Sequence, residues 1–405
     1  MRKKIFVYVA SYGPQYWTSL TDTFLDGKGE GVTVYSFDDE TGALSYVGEV
    51  KGLCSPATLV VSPDQKYLYA ANETRDYPNA QNERGLGGGV IAFSIHPETG
   101  NLKVLNDSLS YGCFPSYISI DKEGRYLLLA NHGSYFYSTK FIKTNEGYKP
   151  EVIRDDGSIS LFSVVEDGGI GQVLDIKNLR GTGADPMLHA SAHPHSVAID
   201  EFDYVIAPNK GGDNIFVYKL NRDTNELEEK FVCPAAYGSS PRHVAFCKDT
   251  PWVMVINEFD AHLGSYHLNR ETGELTQVQI IDTVDRNFSE NTIIAAKSAG
   301  GDRPWACDVQ VHPNGRFVYT TNTQNMTACF ELDRSTGRLT LQGRYPVGKG
   351  MTRGIQIDRT GRWMITAGLM DDALYVTKID PETGALSYAG SIESKSPTAV
   401  RFVYL

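Results

Sequence analysis

One pattern recurs along the whole chain: an apolar strand, a tight turn rich in Gly or Asp, and a second apolar strand. Seven outer copies include "AFSIHPETGNLKVLN", "SYHLNRETGELTQVQ" and "VTKIDPETGALSYAG", and inner copies between them include "LVVSPDQKYLYAANE" and "VQVHPNGRFVYTTNT". A period of about 40 to 50 residues with four strands is typical of β-propellers. The sequence therefore predicts an all-β chain, a seven-bladed β-propeller with four antiparallel strands per blade.

The two ends of the chain are predicted to build one blade together. If the strands of a repeat are named a to d from the channel outward, the N-terminal "KIFVYVASYG" resembles a b strand and the C-terminal "SPTAVRFVYL" resembles an a strand. Without that last strand, the first blade would leave an open edge, which favours aggregation. We therefore expect the C-terminal strand to complete the first blade. The predicted blades are 4–50 with 396–405, then 55–110, 114–178, 193–234, 240–284, 303–346 and 351–393.

Composition limits the domain count and the partners. Because each blade of a ring buries its apolar faces against its neighbours, all 405 residues are expected to form a single domain. The net charge of −11 argues against nucleic acid, which needs a basic surface. The six cysteines lack metal-ligand spacing and no apolar run has membrane-spanning length. We therefore expect reduced thiols, a cytoplasmic location, no membrane contact, no metal and no cofactor.

The long connections are predicted to lie on one face of the disc. In an antiparallel blade, the b–c and d–a connections share one face, and the a–b and c–d turns share the other. The long segments at 13–30, 73–88, 132–157, about 176–192 and about 284–303 all belong to the first group. Since loops this long are usually functional, we expect the site on this face, covered by 13–30 and 132–157.

A histidine-rich segment marks the channel mouth on that face. His193 and His195 flank a proline at the predicted start of the fourth a strand, so strand alternation places both on one side. With His189 the segment reads HxxxHxH. Three roles stay open: a structural hydrogen-bonding pair, catalysis or substrate binding, and a metal site, for which the segment offers no acidic or Cys ligand.

The next blade adds charged residues to the same rim. The segment "PRH" supplies Arg242 and His243, and Glu258 follows Asn257 at the end of the b strand, so Glu258 should stand beside Arg242. The two side chains form either a simple ion pair or a functional carboxylate whose pKa the arginine sets. Glu73 has the equivalent position three blades earlier. A rim with His, Arg and Glu can bind an anionic ligand and move protons.

Several of these motifs resemble those of one known family. "SPDQKYLYAANE", "HPHSVAID", "SPRHVAF", "VINE" and "HPNGRFVYTTN" are similar to motifs of the lactonase propellers, which include propeller-type 6-phosphogluconolactonases and fungal 3-carboxy-cis,cis-muconate lactonizing enzymes. The resemblance covers nearly the whole chain and implies a polar site at the channel mouth. It implies lactone hydrolysis or, in the muconate branch, reversible lactonization by proton transfer. Carried over by motif, it makes His195, Arg242 and Glu258 the catalytic residues.

The chain departs from the family pattern at the mouth. Thr323 stands where the muconate branch has an arginine, Asn209 replaces an aspartate, and Tyr117 replaces a histidine. The last blade keeps an arginine at Arg353. The expected substrate-binding residues are His193, His243, Glu73, Asn257, Tyr117, His132 and Arg353.

These observations predict a lactonase-like hydrolase that opens a sugar-acid lactone by general acid–base catalysis. The loops rich in Tyr and Trp suit a sugar ring stacked on an aromatic face. Two alternatives stay open: a cycloisomerase or lyase that moves protons on an oxidised sugar or muconate-type acid, and a non-catalytic propeller that binds a partner. Convergence of His195, Arg242 and Glu258 in one pocket favours an enzyme with a small sugar-acid or lactone ligand.

Overall fold

The computed structural model describes residues 4–14, 27–78, 83, 85–285, 305–323 and 325–405. These residues form seven four-stranded antiparallel sheets and one two-stranded hairpin. The sheets confirm the predicted seven-bladed β-propeller. Each sheet runs from its a strand at the channel to its d strand at the rim.

The strands follow in blade order, from a to d. The first blade contains β30 (Pro397–Tyr404), β1 (Ile5–Ser11), β2 (Gly31–Phe37) and β3 (Leu44–Lys51). The second contains β4 (Pro56–Val61), β5 (Tyr67–Asn72), β6 (Gly89–Ile95) and β7 (Leu102–Leu109). The third contains β8 (Pro115–Ile120), β9 (Tyr126–Asn131), β12 (Ser158–Val164) and β13 (Ile170–Asn178). The fourth and fifth contain β14 (Ala198–Ile199), β15 (Tyr204–Asn209), β16 (Asn214–Asn221) and β17 (Glu226–Pro234); and β18 (Pro241–Phe246), β19 (Trp252–Asn257), β20 (His262–Leu268) and β21 (Leu275–Asp282). The last two contain β22 (Ala306–Val311), β23 (Phe317–Asn322), β24 (Met326–Leu332) and β25 (Leu339–Pro346); and β26 (Thr352–Ile357), β27 (Trp363–Gly368), β28 (Ala373–Ile379) and β29 (Leu386–Glu393).

The first blade is closed by the C-terminal strand, as predicted. β1 pairs with β2 on one side and with β30 on the other, with Tyr8 opposite Arg401. Backbone bonds between Lys4 and Leu405 extend this pairing to the end of the chain. The ring therefore closes through hydrogen bonds between the two ends of the sequence.

The apolar core consists of separate layers between neighbouring blades. The b strands carry the most buried residues; every residue of β15 and of β19 is buried, because both faces of each strand pack against another blade. One layer joins Tyr69 and Val90 of the second blade to Leu127 and Phe162 of the third. Each blade thus needs both neighbours to bury its apolar faces.

An aromatic side chain of every b strand donates a hydrogen bond to the c–d turn of the following blade. Tyr319, for example, donates its hydroxyl to the carbonyl of Gly384 at 2.8 Å. The donors in blade order are Tyr8, Tyr69, Tyr126, Tyr204, Trp252, Tyr319 and Trp363. Gly384 has φ 71°, and a Cβ there would lie 2.8 Å from the Phe317 ring, which explains the glycine of the repeated "ETG" turn.

A β-bulge at the start of the a strands re-aims side chains into the channel. In β18, Pro241 pairs with Asn257 and His243 pairs with Ile256, so Arg242 is an extra residue. The a strands β4, β8 and β22 show the same shift. Because alternation is interrupted there, Arg242 and His243 both reach the channel although they are adjacent in sequence.

The expected cover over the mouth differs from the structure. Segment 132–157 contains an exposed hairpin of β10 (Tyr137–Thr144) and β11 (Gly147–Arg154), and its contacts with the mouth come from His132 and Tyr135 at its base. Most of 13–30 and of 284–303 lies outside the described residues, so their predicted positions are not tested.

Cysteines and helices add two observations. The six cysteines are free, and all but the half-buried Cys113 are buried. Among the residues that the structure describes, no helix is both long and apolar enough to cross a bilayer.

The interblade hydrogen bond predicts a stability effect. Tyr319→Phe keeps the packed ring but leaves the Gly384 carbonyl without its donor, so we expect a loss of about 1–2 kcal/mol in the free energy of unfolding by urea. Tyr388→Phe is the control, since its hydroxyl reaches Ser391 on the exposed surface. Equal losses in the two variants would show that the interblade bond adds nothing.

Candidate functional site

The residue that follows each b strand stands at an equivalent place around the channel mouth. The N–H of Glu258 donates to the carbonyl of Ser240 at 2.8 Å, and five other blades make the same bond between the end of strand b and the start of strand a. The repeat therefore arranges seven side chains in a ring. They are Tyr12, Glu73, His132, Lys210, Glu258, Thr323 and Leu369.

Arg242 is the centre of the polar contacts at the mouth. It is 1% exposed, and its Nε donates to Glu258 Oε2 at 2.7 Å. Nη2 donates to His195 Nε2 at 3.2 Å, whereas Nη1 donates to His243 Nε2 at 3.0 Å and to the carbonyl of Cys307. One guanidinium thus joins a carboxylate and two imidazoles.

These contacts settle the protonation of the two histidines. Because a guanidinium has donors and no acceptors, the Nε2 atoms of His195 and His243 must accept. Their protons are then on Nδ1: His243 donates to Asp308 Oδ1 at 2.9 Å, and His195 Nδ1 lies 3.3 Å from His243 Nε2, an acceptor that it shares with Arg242. Burial and then Arg242 lower the pKa of His195 well below its ordinary value, and the same causes lower the pKa of His243 to about 4. Both imidazoles are neutral at pH 7.

Glu258 is held between two cations. Lys210 donates from Nζ to Glu258 Oε1 at 2.9 Å, opposite Arg242, and both partners are 5% exposed. Burial alone would raise the pKa of Glu258, but Lys210 and Arg242 together hold it below its ordinary value. Lys210 also donates to the hydroxyl of Tyr135 at 3.2 Å. Glu258 is therefore a buried, ionised carboxylate at pH 7.

The channel beside Arg242 contains a small polar cavity. Six of the a strands and the segment that precedes β14 contribute to its wall, because they surround the channel axis. Among the predicted site residues, the cavity is lined by His195, Arg242, His243, Tyr117 and Arg353. Tyr12, Asp308 and Arg401 add further polar side chains to its wall.

The two predicted glutamates stand one contact behind that wall. Glu258 reaches it through Arg242. Glu73 Oε2 accepts from the hydroxyl of Tyr12 at 2.5 Å, and the same hydroxyl accepts from Arg353 Nη2 at 2.7 Å. Burial raises the pKa of Tyr12, so the phenol stays protonated. Glu73 thus orients a cavity-lining phenol.

The prediction that His193 and His195 share one side of a strand is wrong. The fourth a strand begins only at Ala198, so alternation does not apply to residues 193–197. His195 lines the cavity and His193 does not: the Nδ1 of His193 contacts the carbonyl of His132 at 2.8 Å, and the His193 and His132 rings stack at 4.8 Å. His189 stacks on Phe259 instead. Within the described ranges, no group of three or more His, Cys, Asp or Glu is arranged to hold a metal ion.

Asn257, an expected substrate contact, has a structural position. Its side chain is buried and donates from Nδ2 to Asp260 at 3.3 Å. The equivalent Asn131 and Asn209 donate to the backbone carbonyls of Ser110 and Arg180. This repeated asparagine ties the end of strand b to the adjoining chain.

Sequence reasoning missed four cavity or contact residues. Lys210 and Tyr12 follow b strands in "PNK" and "ASYG", which is the same position that marked Glu73 and Glu258. Had that position been followed through every repeat, both would have been found. Asp308 and Arg401 lie within the channel-facing a strand of their blades. No comparable sequence pattern marks them, since their role depends on the neighbouring blade. The tertiary structure alone reveals these two residues.

Known proteins resemble this chain over nearly its full length. The sequence profile described as "Lactonase, 7-bladed beta-propeller" matches residues 7–402. A 6-phosphogluconolactonase of Formosa agariphila is 26% identical over 372 residues, which is 90% of this chain and 93% of that protein. A 6-phosphogluconolactonase of Bacillus subtilis is 25% identical over 385 residues, or 94% and 97% of the two chains.

A solved structure supports the fold independently. The periplasmic gluconolactonase of Pseudomonas aeruginosa superposes with a TM-score of 0.79 at 24% identity, covering 99% of each chain. At this identity the likeness concerns the fold, and the propeller architecture accounts for it.

The buried imidazoles predict that stability falls in mild acid. His132, His193, His195 and His243 have folded-state pKa values below the unfolded value of about 6.5, chiefly through burial. As pH falls below about 6.5, the unfolded chain binds protons that the folded chain does not. Each histidine therefore lowers the free energy of unfolding by about 1.4 kcal/mol per pH unit until its folded-state pKa is reached. For His193 and His243 that point is about 4. Urea unfolding at a series of pH values measures the slope.

A matched pair of variants tests the assignment. His243→Gln should reduce the slope of the unfolding free energy against pH by the contribution of one histidine. His96→Gln, which removes an exposed imidazole in a turn, should leave that slope unchanged. A free energy of unfolding that stays constant between pH 6.5 and 4.5 would contradict the buried neutral histidines.

Proposed function

The chain belongs to the lactonase family of seven-bladed β-propellers, and we propose that it is a hydrolase that opens the lactone ring of a sugar acid at the Arg242 site. The names of its curated relatives, 6-phosphogluconolactonases matched over 90% or more of this chain, support that substrate class. The reaction is the hydrolysis of a carboxylic ester within a ring.

One observation carries the proposal: a buried guanidinium at the cavity wall is shared between an ionised carboxylate and a neutral histidine. Arg242 contacts Glu258 at 2.7 Å and His195 at 3.2 Å. Lactone hydrolysis needs a cation for the carbonyl oxygen, a base for water and an acid for the leaving ring oxygen. These groups meet here on rigid strand ends, which a passive binding scaffold does not require.

In the first step, the carbonyl oxygen of the lactone accepts a hydrogen bond from Arg242. If that oxygen replaces His195 as the acceptor of the hydrogen bond from Arg242 Nη2, the lone pair of His195 Nε2 becomes available to water. His195 then accepts a proton as the water oxygen bonds to the carbonyl carbon, and the carbonyl oxygen gains the negative charge that Arg242 stabilises. The low pKa of His195 keeps it unprotonated at neutral pH, as a base must be.

In the second step, the carbonyl forms again and the ring C–O bond breaks. The imidazolium of His195 returns its proton to the departing ring oxygen, which becomes a hydroxyl group. The product is a hydroxy acid whose carboxyl group releases its proton to solvent at neutral pH, and the resulting carboxylate is an anion that the Arg242 fork can bind in two contacts. His195 thus serves as base and then as acid.

Glu258 acts in this proposal through Arg242. Its two oxygens accept from Arg242 and Lys210, so the carboxylate holds the guanidinium in place. Because each oxygen of Glu258 already accepts from a cation and Glu258 stands behind the cavity wall, it is not placed to take a proton from water.

The muconate-type cycloisomerase is less favoured. Thr323, at the position of that branch's arginine, accepts from the backbone N–H of Trp305 at 2.9 Å and donates its own N–H to the Trp305 carbonyl at 2.8 Å. Thr323 thus joins the ends of strands b and a of the sixth blade at the mouth. It has no positive charge to bind a second carboxylate of a muconate-type substrate.

His195→Ala should lower kcat for a sugar-acid lactone by about 10²–10⁴-fold, because it removes both proton transfers. Arg242→Gln should lower kcat/KM by about 10²–10³-fold, because it removes the charge at the carbonyl oxygen. Proton release in a pH-stat measures both. His312→Ala is the control: it removes a buried histidine that bonds to Gly361, in the a–b turn of the last blade. Native circular dichroism with wild-type kcat in His195→Ala would overturn the mechanism.

Lys210→Met tests the role of the second cation. Removing it raises the pKa of Glu258, so the carboxylate protonates at higher pH and releases Arg242. We expect the acid limb of the kcat/KM profile to move to higher pH and to return in Lys210→Arg. Lys66→Met, at an exposed turn, should leave the profile unchanged. An unshifted acid limb in Lys210→Met would show that Lys210 does not position the site.

A further inference from the structure

The hairpin of β10 and β11 has two uncovered faces. Every residue of both strands is exposed except the half-buried Thr144. The strands form a sheet by themselves, with a regular ladder from the pair Tyr137–Arg154 to the pair Thr144–Gly147. A two-stranded hairpin alone is at best marginally stable in water. A ladder of this length that its own disc leaves uncovered therefore indicates a surface that another molecule covers.

One face of the hairpin is aromatic and cationic. Side chains alternate along a strand, and residues opposite each other in a ladder share a face. The register thus places on one face Tyr137, Phe141 and Lys143 of β10 with Tyr148, Val152 and Arg154 of β11. Tyr137, Phe141 and Tyr148 are 62%, 68% and 71% exposed. Together they present roughly 400 Å² of aromatic surface, about half of what one partner buries in a standard interface. We call this surface the aromatic hairpin face.

The carboxylates of the hairpin lie away from the aromatic hairpin face. On the opposite face Lys140 stands across from Glu151, and Lys149 pairs with Glu146 of the turn at 2.6 Å. The aromatic hairpin face has cations only, and Arg154 lies 5.2 Å from the centre of the Tyr137 ring. Its complement is therefore a surface that is both apolar and acidic.

The mouth face of the disc has that character. The b–c and d–a connections form this face, and in their described part outside the hairpin Asp and Glu outnumber Lys and Arg. Large apolar side chains are exposed among these carboxylates. Met187 stands two residues after Asp185, Met370 precedes Asp371, and Tyr237 is 79% exposed between the fourth and fifth blades. The mouth face thus complements the aromatic hairpin face in charge and in polarity.

A second copy of this chain can bring the two surfaces together. The chain's own hairpin does not use its mouth face, since the aromatic hairpin face stays exposed. Two hairpins packed on each other tip to base would bring Lys143 of each copy towards Arg154 of the other, which like charges disfavour. A hairpin laid on the other mouth face instead brings cations to carboxylates. Its strands of eight residues, about 26 Å long, are long enough to cross from one disc to the next.

We propose that this protein forms a homodimer in which two discs meet mouth to mouth. Each aromatic hairpin face lies on the acidic mouth connections of the other copy, and a two-fold axis closes the assembly because both copies make the same contact. Each mouth is then bordered by the hairpin of its partner. This dimer does not rest on the proposed lactonase activity, since the mass of the assembly in solution is independent of turnover.

Sedimentation equilibrium of the full chain tests the proposal at about 1–100 µM, where wild type should be a dimer with a micromolar or tighter Kd. Added salt should weaken the dimer, because it screens the charges at the contact. Phe141→Glu should weaken dimerisation at least about thirtyfold, as expected for a large aromatic contact residue. Ile142→Glu is the matched control, since this adjacent exposed residue lies on the opposite face of the hairpin.

Two further variants test the mouth face and the hairpin as a whole. Tyr237→Glu should weaken the dimer, whereas Tyr388→Glu, on the outer strand of the last blade, should not. Replacing 137–154 with Gly-Ser-Gly should give a monomer with a native near-UV circular dichroism spectrum. The chain can be joined there because the Ser134 N–H donates to the Asp155 carboxylate at 2.8 Å, so the two ends of the hairpin are adjacent.

Three results would overturn the proposal. One is a wild type that stays monomeric at about 100 µM. Another is a dimer that is equally tight in Phe141→Glu and Ile142→Glu, a comparison that decides even if the shortened variant does not fold. The third is a monomeric wild type that binds phosphatidylserine vesicles and loses this binding in Phe141→Glu, because the hairpin would then contact a membrane surface.

Discussion

The interblade hydrogen bond from a b-strand aromatic to the next c–d turn underlies the whole architecture. A four-stranded blade has apolar faces on both sides and no core of its own, so it is stable only when neighbours cover it. Area burial alone does not define the angle between two blades. A directed bond such as that from Trp252 to the carbonyl of Arg334, at 2.8 Å, does define it. Because the bond recurs in every blade, the strand ends at the mouth are held in one geometry.

That rigidity lets the mouth hold charges that would otherwise attract water and move apart. Arg242 is nearly inaccessible and contacts groups from its own blade and two neighbours: Glu258, His195 and the Cys307 carbonyl. Burial and the arginine together keep His195 neutral, and Lys210 keeps Glu258 ionised. The protonation states that the proposed reaction needs are thus properties of the packed ring.

Much of the site was predictable because it follows the repeat. Glu258 stands beside Arg242 as expected, since both occupy fixed places in a blade whose register the sequence reveals. The error at His193 has the opposite origin. The fourth blade departs from the repeat, its a strand is reduced to Ala198–Ile199, and the periodicity assumed for a strand has no meaning before it begins.

The sequence by itself determined the seven blades, the closure by the C-terminal strand and the face that carries the polar residues, because these depend on local periodicity and turn chemistry. The tertiary structure alone decided which polar residues share a contact: Lys210 on Glu258, Asp308 on His243, and Arg401 on Gln356. Each pair joins different blades, and the distance between blades follows from ring closure and interblade packing. No local pattern records that distance, whereas the repeat records every position within a blade.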